Sequence, residues 1–202
     1  MRDNLLLVGV FLVGIILGRL NHLPLDVQGG QLVLYLLYAL MFCVGLSIGN
    51  DSETLKSFRK LPIRILLLPF LTIAGSWLGG TVAALILKQS VASGIALSAG
   101  LGYYSLSSVI LTEELGITVG TIALLANIIR ELMAIILSHP FASWFGPYAP
   151  IAAGGATTMD VTLPFILKAS GQEYLVPSIY HGFICDLSVP FSVTFFASLV
   201  TL

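Results

Sequence analysis

Four charged side chains stand inside otherwise apolar runs of this sequence: the adjacent pair Arg130 and Glu131, then Asp160, then Asp186. A charge at the centre of a membrane helix costs about 2.5–3.5 kcal/mol, so each calls for a physical reason. One positive and three negative groups do not cancel. Either some carboxyl groups carry protons or a cation sits among them. Burial and a neighbouring guanidinium pull a carboxyl group's protonation in opposite directions, and a group balanced between the two is suited to taking up and releasing protons. Asn127 and Glu131 are four residues apart and share a helix face, with Arg130 at its border. That makes either a polar stripe lining a pathway or an Arg–Glu pair locking two helices.

Asp160 follows Gly154-Gly155-Ala156-Thr157-Thr158. Glycines there permit unwinding, Thr157 and Thr158 offer hydroxyls, and a restarting helix would aim N–H groups at an anionic part of a ligand while unwound carbonyls suit a cation. A second polar run, Tyr103-Tyr104-Ser105-Leu106-Ser107-Ser108, follows Gly100 and Gly102. It reads as a second half-site or as a serine-rich packing surface. Glu113 and Glu114 fall at the membrane edge, where both read as part of a solvated loop or Glu113 as the guard of an entrance. His181 reads as a proton relay or as a hydrogen-bonded tie between helices. Spacing assigns Asp186 no role. Asp160 and Asp186 together supply the two intramembrane aspartates of an aspartic protease dyad, but the Tyr-Asp and Gly-x-Gly-Asp surroundings of such enzymes are absent. Cys43 and Cys185 lie in apolar runs with no metal spacing and no disulfide framework. Neither a metal nor a cofactor is expected.

These residues need lipid around the elements that hold them. Of 202 residues, 57% are hydrophobic and 9% are charged, against about 25% charged in soluble domains. A soluble fold of this size cannot hide so much apolar surface. The net charge of −1 gives no basic field for nucleic acid. The expectation is an all-α integral membrane protein, one transmembrane domain over 1–202, with about five to seven spans of roughly 20 residues each. Five continuous candidates are 5–20, 31–48, 62–87, 118–137 and 174–199. The first resembles a signal peptide but lacks a small-residue cleavage site, so it reads as a retained helix. Segments 91–111 and 150–167 are long and apolar but broken by glycine, serine, threonine and proline. Irregular backbone at membrane depth survives only against protein or a water-filled cavity, so these two segments are expected to face one another or a pore. Glycine pairs at four-residue spacing, Gly14/Gly18, Gly45/Gly49, Gly75/Gly79 and Gly116/Gly120, mark possible close helix contacts. Lys56, Arg59, Lys60 and Arg64 put the loop after the second span in the cytoplasm. The N-terminus is then cytoplasmic and the C-terminus outside, whether the broken segments cross or re-enter.

The same residues resemble a known family, the LysO lysine exporters. The resemblance rests on four blocks in order: Gly102-Tyr103-Tyr104-Ser105-Leu106-Ser107 continuing to Leu111-Thr112-Glu113; Ala123-Leu124-Leu125-Ala126-Asn127-Ile128-Ile129-Arg130-Glu131-Leu132; Gly154 to Asp160 with Leu163-Pro164; and Val176-Pro177 with His181-Gly182-Phe183. It implies a bacterial inner-membrane secondary transporter that exports L-lysine, and the toxic analogue thialysine, in exchange for protons. It implies that Glu131 and Asp160 are the essential intramembrane acids. Export of another cationic or small amino acid is the alternative. Full-length members are longer at the N-terminus by about three helices. At roughly 20 residues per span, the remainder would be a separate small membrane protein of about 90–100 residues, or this chain would pair with itself. At Asp186 the family usually has an apolar or small residue, so the aspartate is a departure that bears on substrate choice or proton stoichiometry.

Overall fold

The computed structural model describes Tyr35, Ala39, Phe42, Leu46, Lys56, Phe58 and residues 61–200. The chain separates into two compact units, Met1–Ile48 and Gly49–Leu202. In the first, the described residues Tyr35, Ala39, Phe42 and Leu46 are helical, and their spacing puts them on one helix face. The expected spans 5–20 and 31–48, Cys43, the pairs Gly14/Gly18 and Gly45/Gly49, and Arg59 and Lys60 lie outside the described residues.

In the second unit the described elements are all helical. They are α1 (Ile63–Ile86), α2 (Val91–Ser98), α3 (Tyr104–Leu115), α4 (Ile117–Phe145), α5 (Ala149–Gly154), a 3-10 segment Gly155–Met159, α6 (Leu163–Ser170), a 3-10 turn Gln172–Tyr174, and α7 (Leu175–Ser198). Three helices are long and apolar enough to cross a membrane: α1, α4, and α7 with the turn before it. Each is expected from hydropathy, since about 20 apolar residues match the hydrocarbon thickness. The protein is therefore a multi-pass, all-α membrane protein.

Helix α4 runs eight residues beyond the expected boundary at Leu137, through Ser138-His139-Pro140, and stops at Gly146, whose φ is +88°. At 1.5 Å per residue its 29 residues reach about 43 Å, past a hydrocarbon core of about 30 Å. Its last turn exposes Trp144 and Phe145, and tryptophan carries the amphipathic ring of a membrane interface. Polar residues and a proline thus mark its exit from lipid and not its end.

The two segments read as broken are broken. The first comprises α2, an irregular stretch at 99–103, and α3; the second comprises α5, the 3-10 segment, an irregular turn at Asp160–Thr162, and α6. Helix α7 packs on the 3-10 segment, α3, α2 and α1, while α4 packs on α3, α5 and α6. Both breaks are thus held between continuous helices. Gly182 lets α7 come close: a Cβ there would lie 2.7 Å from the Met159 main-chain nitrogen. Tyr180 on α7 packs edge-on to Phe58 at 5.3 Å and donates a hydrogen bond to the Leu66 carbonyl at 3.2 Å, tying α7 to the start of α1.

The glycine contacts differ in part from the expected ones. Gly75 and Gly79 have open space where a Cβ would go. The close approach of α1 and α2 is made by Gly80 and Gly94, where a methyl group on either would strike the other's carbonyl oxygen. Gly120 does serve a contact, with α3 through the Ser108 carbonyl and Thr112, whereas Gly116 makes the left-handed turn between the helices at φ +91°. A four-residue interval cannot tell which face of a helix meets a neighbour. Gly94→Leu is therefore expected to destabilise the protein by at least the ~1–3 kcal/mol of overpacking, because the obstacle is main chain. Gly79→Ala should leave the melting temperature unchanged or slightly raised, since alanine favours helix by about 1 kcal/mol. Thermal melting of the two detergent-solubilised variants checks the pair.

Candidate functional site at the helix breaks

The centre of the second unit is the point where the two breaks meet. The Ala156 N–H donates to the Leu101 carbonyl at 2.9 Å, so the irregular segments are joined main chain to main chain. This demands unusual backbone. Leu101 has φ +50° and Gly102 φ +94°, while Gly155 has φ +64°. Glycine adopts these values freely, but a leucine does so at a cost on the order of 1–3 kcal/mol and only when its surroundings fix it. Leu101 is fully buried. Gly155 has no alternative, because a Cβ on it would run into the Leu101 carbonyl.

Helix α4 supplies a polar side chain to each break. Asn127, 3% exposed, accepts from the Gly102 N–H at 2.7 Å through Oδ1. Its Nδ2 donates to the Ala123 carbonyl at 2.9 Å and to Ser107 Oγ at 3.3 Å. Ser107 in turn donates to the Tyr103 carbonyl at 2.8 Å. One turn further along, Arg130 donates through Nε to the Ala153 carbonyl at 3.1 Å and through Nη2 to the Ala152 carbonyl at 3.3 Å; its Nη1 donates to Ser76 Oγ at 2.6 Å. Those carbonyls belong to the last turn of α5, which has no helical partners for them. Arg130 thus serves the main chain of the second break and does not turn to Glu131. A cavity of about 810 Å³ opens beside Arg130, walled also by Gly79, Gly80, Ala83, Gly94 and Ala126. Glu131, Asp160 and Asp186 are not among its walls.

The threonine hydroxyls are committed within the break. Thr157 donates to the Gly154 carbonyl at 2.9 Å and lies 3.2 Å from Thr162 Oγ1, and Thr162 donates back to the Thr157 carbonyl at 2.9 Å. Thr158 Oγ1 lies 2.9 Å from the Gly155 carbonyl and 3.0 Å from that of Ser178 on α7. It also lies 3.2 Å from His181 Nδ1. His181, fully buried, reaches Thr72 on α1 through Nε2 at 2.9 Å. With both ring nitrogens engaged by hydroxyls, His181 ties α1, α7 and the second break together.

Asp160 follows the 3-10 segment, exposed on this chain, and its Oδ1 accepts from the Val161 N–H. Glu131 is half-buried, and its Oε2 is buried with no hydrogen-bond partner among the described residues. Asp186 is 7% exposed. Asp160 lies within electrostatic reach of both Glu131 and Asp186, and Tyr103 within reach of Asp160 and Asp186. No three acidic, histidine or cysteine side chains among the described residues converge closely enough to hold a metal ion. Among the described lysines and arginines, Arg130 alone is not exposed, and it is occupied with carbonyls.

The structure thus brings Asn127, Arg130, Ser107, Thr157, Thr158 and His181 to the crossing, and Glu131, Asp160 and Asp186 beside it. Tyr104, Ser105 and Glu113 are exposed on α3. Sequence reasoning did not single out Thr72 or Ser76. Thr72 and Ser76 are four residues apart in an otherwise apolar helix, a hydroxyl face that would have marked them.

Two interrupted segments, with acids beside their crossing, thus form the candidate site of this membrane protein. The chain belongs to the lysine exporter LysO family, whose model matches residues 8–197. It is 33% identical over 196 residues to the lysine exporter LysO of Escherichia coli K12, covering 97% of this chain and 64% of that protein. It is 34% identical over 192 residues to a putative lysine exporter of Haemophilus influenzae Rd, covering 95% of this chain and 97% of that one. No solved structure matches the chain significantly.

Asn127→Ala would leave the Gly102 N–H without its acceptor in a buried site, which costs about 1–3 kcal/mol. The expected result is a lower melting temperature and faster proteolysis within 98–104 on the purified protein, with α1 and α7 still protected.

Proposed function

We propose that this chain forms the substrate-binding part of a secondary transporter that exports a cationic amino acid, L-lysine and its analogue thialysine, in exchange for protons. The observation that carries the reading is the charge arrangement. Glu131 and Asp186 each lie within electrostatic reach of Asp160, and Arg130, the only arginine among the described residues that is not exposed, is held by carbonyls and a hydroxyl. Such a site favours a positive occupant, either a proton or an ammonium group. The names of the relatives support lysine among cationic substrates.

In this mechanism Asp160 holds the substrate's α-ammonium at the break, with main-chain groups around it. Glu131, with one oxygen buried and unpartnered, alternates between a proton and an electrostatic hold on the substrate. A proton arriving from outside neutralises an acid, weakens the cation's hold and releases it on that side. The crossing then rocks against the surrounding helices. The chain would lie in the bacterial inner membrane with its N-terminus cytoplasmic and its C-terminus outside. The match spans about two-thirds of the E. coli relative. A small three-helix membrane subunit, or a second copy of the chain, would supply what that longer protein carries in addition.

Asp160→Asn and Glu131→Gln should each abolish thialysine resistance in cells depleted of other lysine export, with protein levels unchanged by immunoblot. Wild-type resistance in either variant, at equal abundance, would remove the basis of the reading.

A further inference from the structure

Arg130 carries a positive charge that its hydrogen bonds leave uncompensated. It sits near the middle of α4 and donates to the Ala152 and Ala153 carbonyls and to Ser76 Oγ, near the middle of α1. All three partners are uncharged. A guanidinium has five N–H groups, so one on each Nη is left over. Ser76 Oγ accepts from Nη1 at 2.6 Å, and no acceptor among the described residues takes its own proton.

The two residues that carry these donors stand where two cavities meet. The cavity of about 810 Å³ runs along the second half of α1. Another, of about 410 Å³, runs along the first half, walled also by Leu68, Leu71, Thr72, Gly75, Ala152 and Ala153. Ser76 and Arg130 are the residues that both sets of walls share, and among the described residues neither set includes an acid. Gly75 lines one cavity and Gly79 the other, and each has open space where a Cβ would go. Each costs α1 about 1 kcal/mol of helix propensity relative to alanine, with no close packing to account for it. Each keeps the approach to Ser76 open from its own side.

An unpaired charge at membrane depth is expensive and persists where an opposite charge completes it. Spare donors around one guanidinium, on walls without an acid, fit an anion. The walls beyond them are largely glycine, alanine and leucine. They suit a small ion of one charge and not sulfate or phosphate, whose dehydration costs far more. We propose that Arg130 and Ser76 form a binding site for a small monovalent anion, a halide or a carboxylate group, reached through the larger cavity. The site goes beyond the transport reading, whose acids Glu131 and Asp160 stand on the walls of neither cavity.

The test is thermal melting of the detergent-purified protein, titrated with sodium bromide against sodium gluconate at constant ionic strength. Wild type is expected to show a saturable rise of about 3 °C or more with bromide. Ser76→Ala should need several-fold more bromide for the same rise. Gly79→Leu, whose side chain fills the larger cavity one turn from Ser76, should show none. Equal melting in bromide and gluconate would overturn the proposal, as would the same bromide response in all three proteins. Competition identifies the source of the anion. A bromide response weakened by lysine but not by lysinamide assigns the site to the carboxylate of a transported amino acid. A response that neither compound changes assigns it to a free ion, and both results uphold the site. Should the variants fail to fold, anomalous scattering from bromide in crystals of the wild type decides. A peak against Arg130 Nη1 and Ser76 Oγ is expected, and a map without one would end the proposal. None of these readouts involves transport, so their failure leaves the exporter reading standing.

Discussion

Main-chain polar groups at the depth of a bilayer have no water to turn to, and an interrupted helix releases several of them at once. Every feature of the second unit's centre answers that constraint. The two breaks satisfy each other through the Ala156–Leu101 hydrogen bond. The rest is met from α4, whose Asn127 takes the Gly102 N–H and whose Arg130 takes the carbonyls at the end of α5. Two side chains three residues apart on one continuous helix therefore fix both irregular segments. The strained Leu101 and the obligatory Gly155 follow from the closeness that this arrangement requires.

The same constraint divides labour among the charges. An arginine beside a glutamate invites the reading of an ion pair, but carbonyls that would otherwise be orphaned claim this guanidinium. The acids are then left with each other's repulsion and with whatever positive group arrives. Amide, guanidinium, imidazole and threonine hydroxyls are committed to hydrogen bonds at the crossing, whereas Glu131 Oε2 has no partner among the described residues.

Much of this was legible in the sequence. Uninterrupted apolar runs gave α1 and α7 to within a residue or two, because hydrocarbon thickness sets their length. Clusters of glycine with serine or threonine marked both breaks, since no ordinary helix carries them. What escaped was pairing across space. The hydrogen bonds of Arg130 go to main-chain carbonyls, which every residue has, so no residue type announces them. Thr157 and Thr158 read as free hydroxyls because their own backbone's demand for them appears only in three dimensions. Gly75 and Gly79 show a helix interval, while Gly80 and Gly94, which make the contact, sit on two different helices and share no interval. The expected span ended at Leu137, where polar residues follow the apolar run, whereas α4 continues through Pro140 to Phe145.

The bond between Ala156 and Leu101 joins an amide to a carbonyl, and neither atom belongs to a side chain. Conventional mutagenesis therefore passes over it: alanine scanning leaves Ala156 as it is and gives Leu101 the same carbonyl. The linchpin of the crossing would register only indirectly, through its glycine neighbours. Replacing the 156 amide with an ester by unnatural amino-acid incorporation is the kind of chemistry that addresses it.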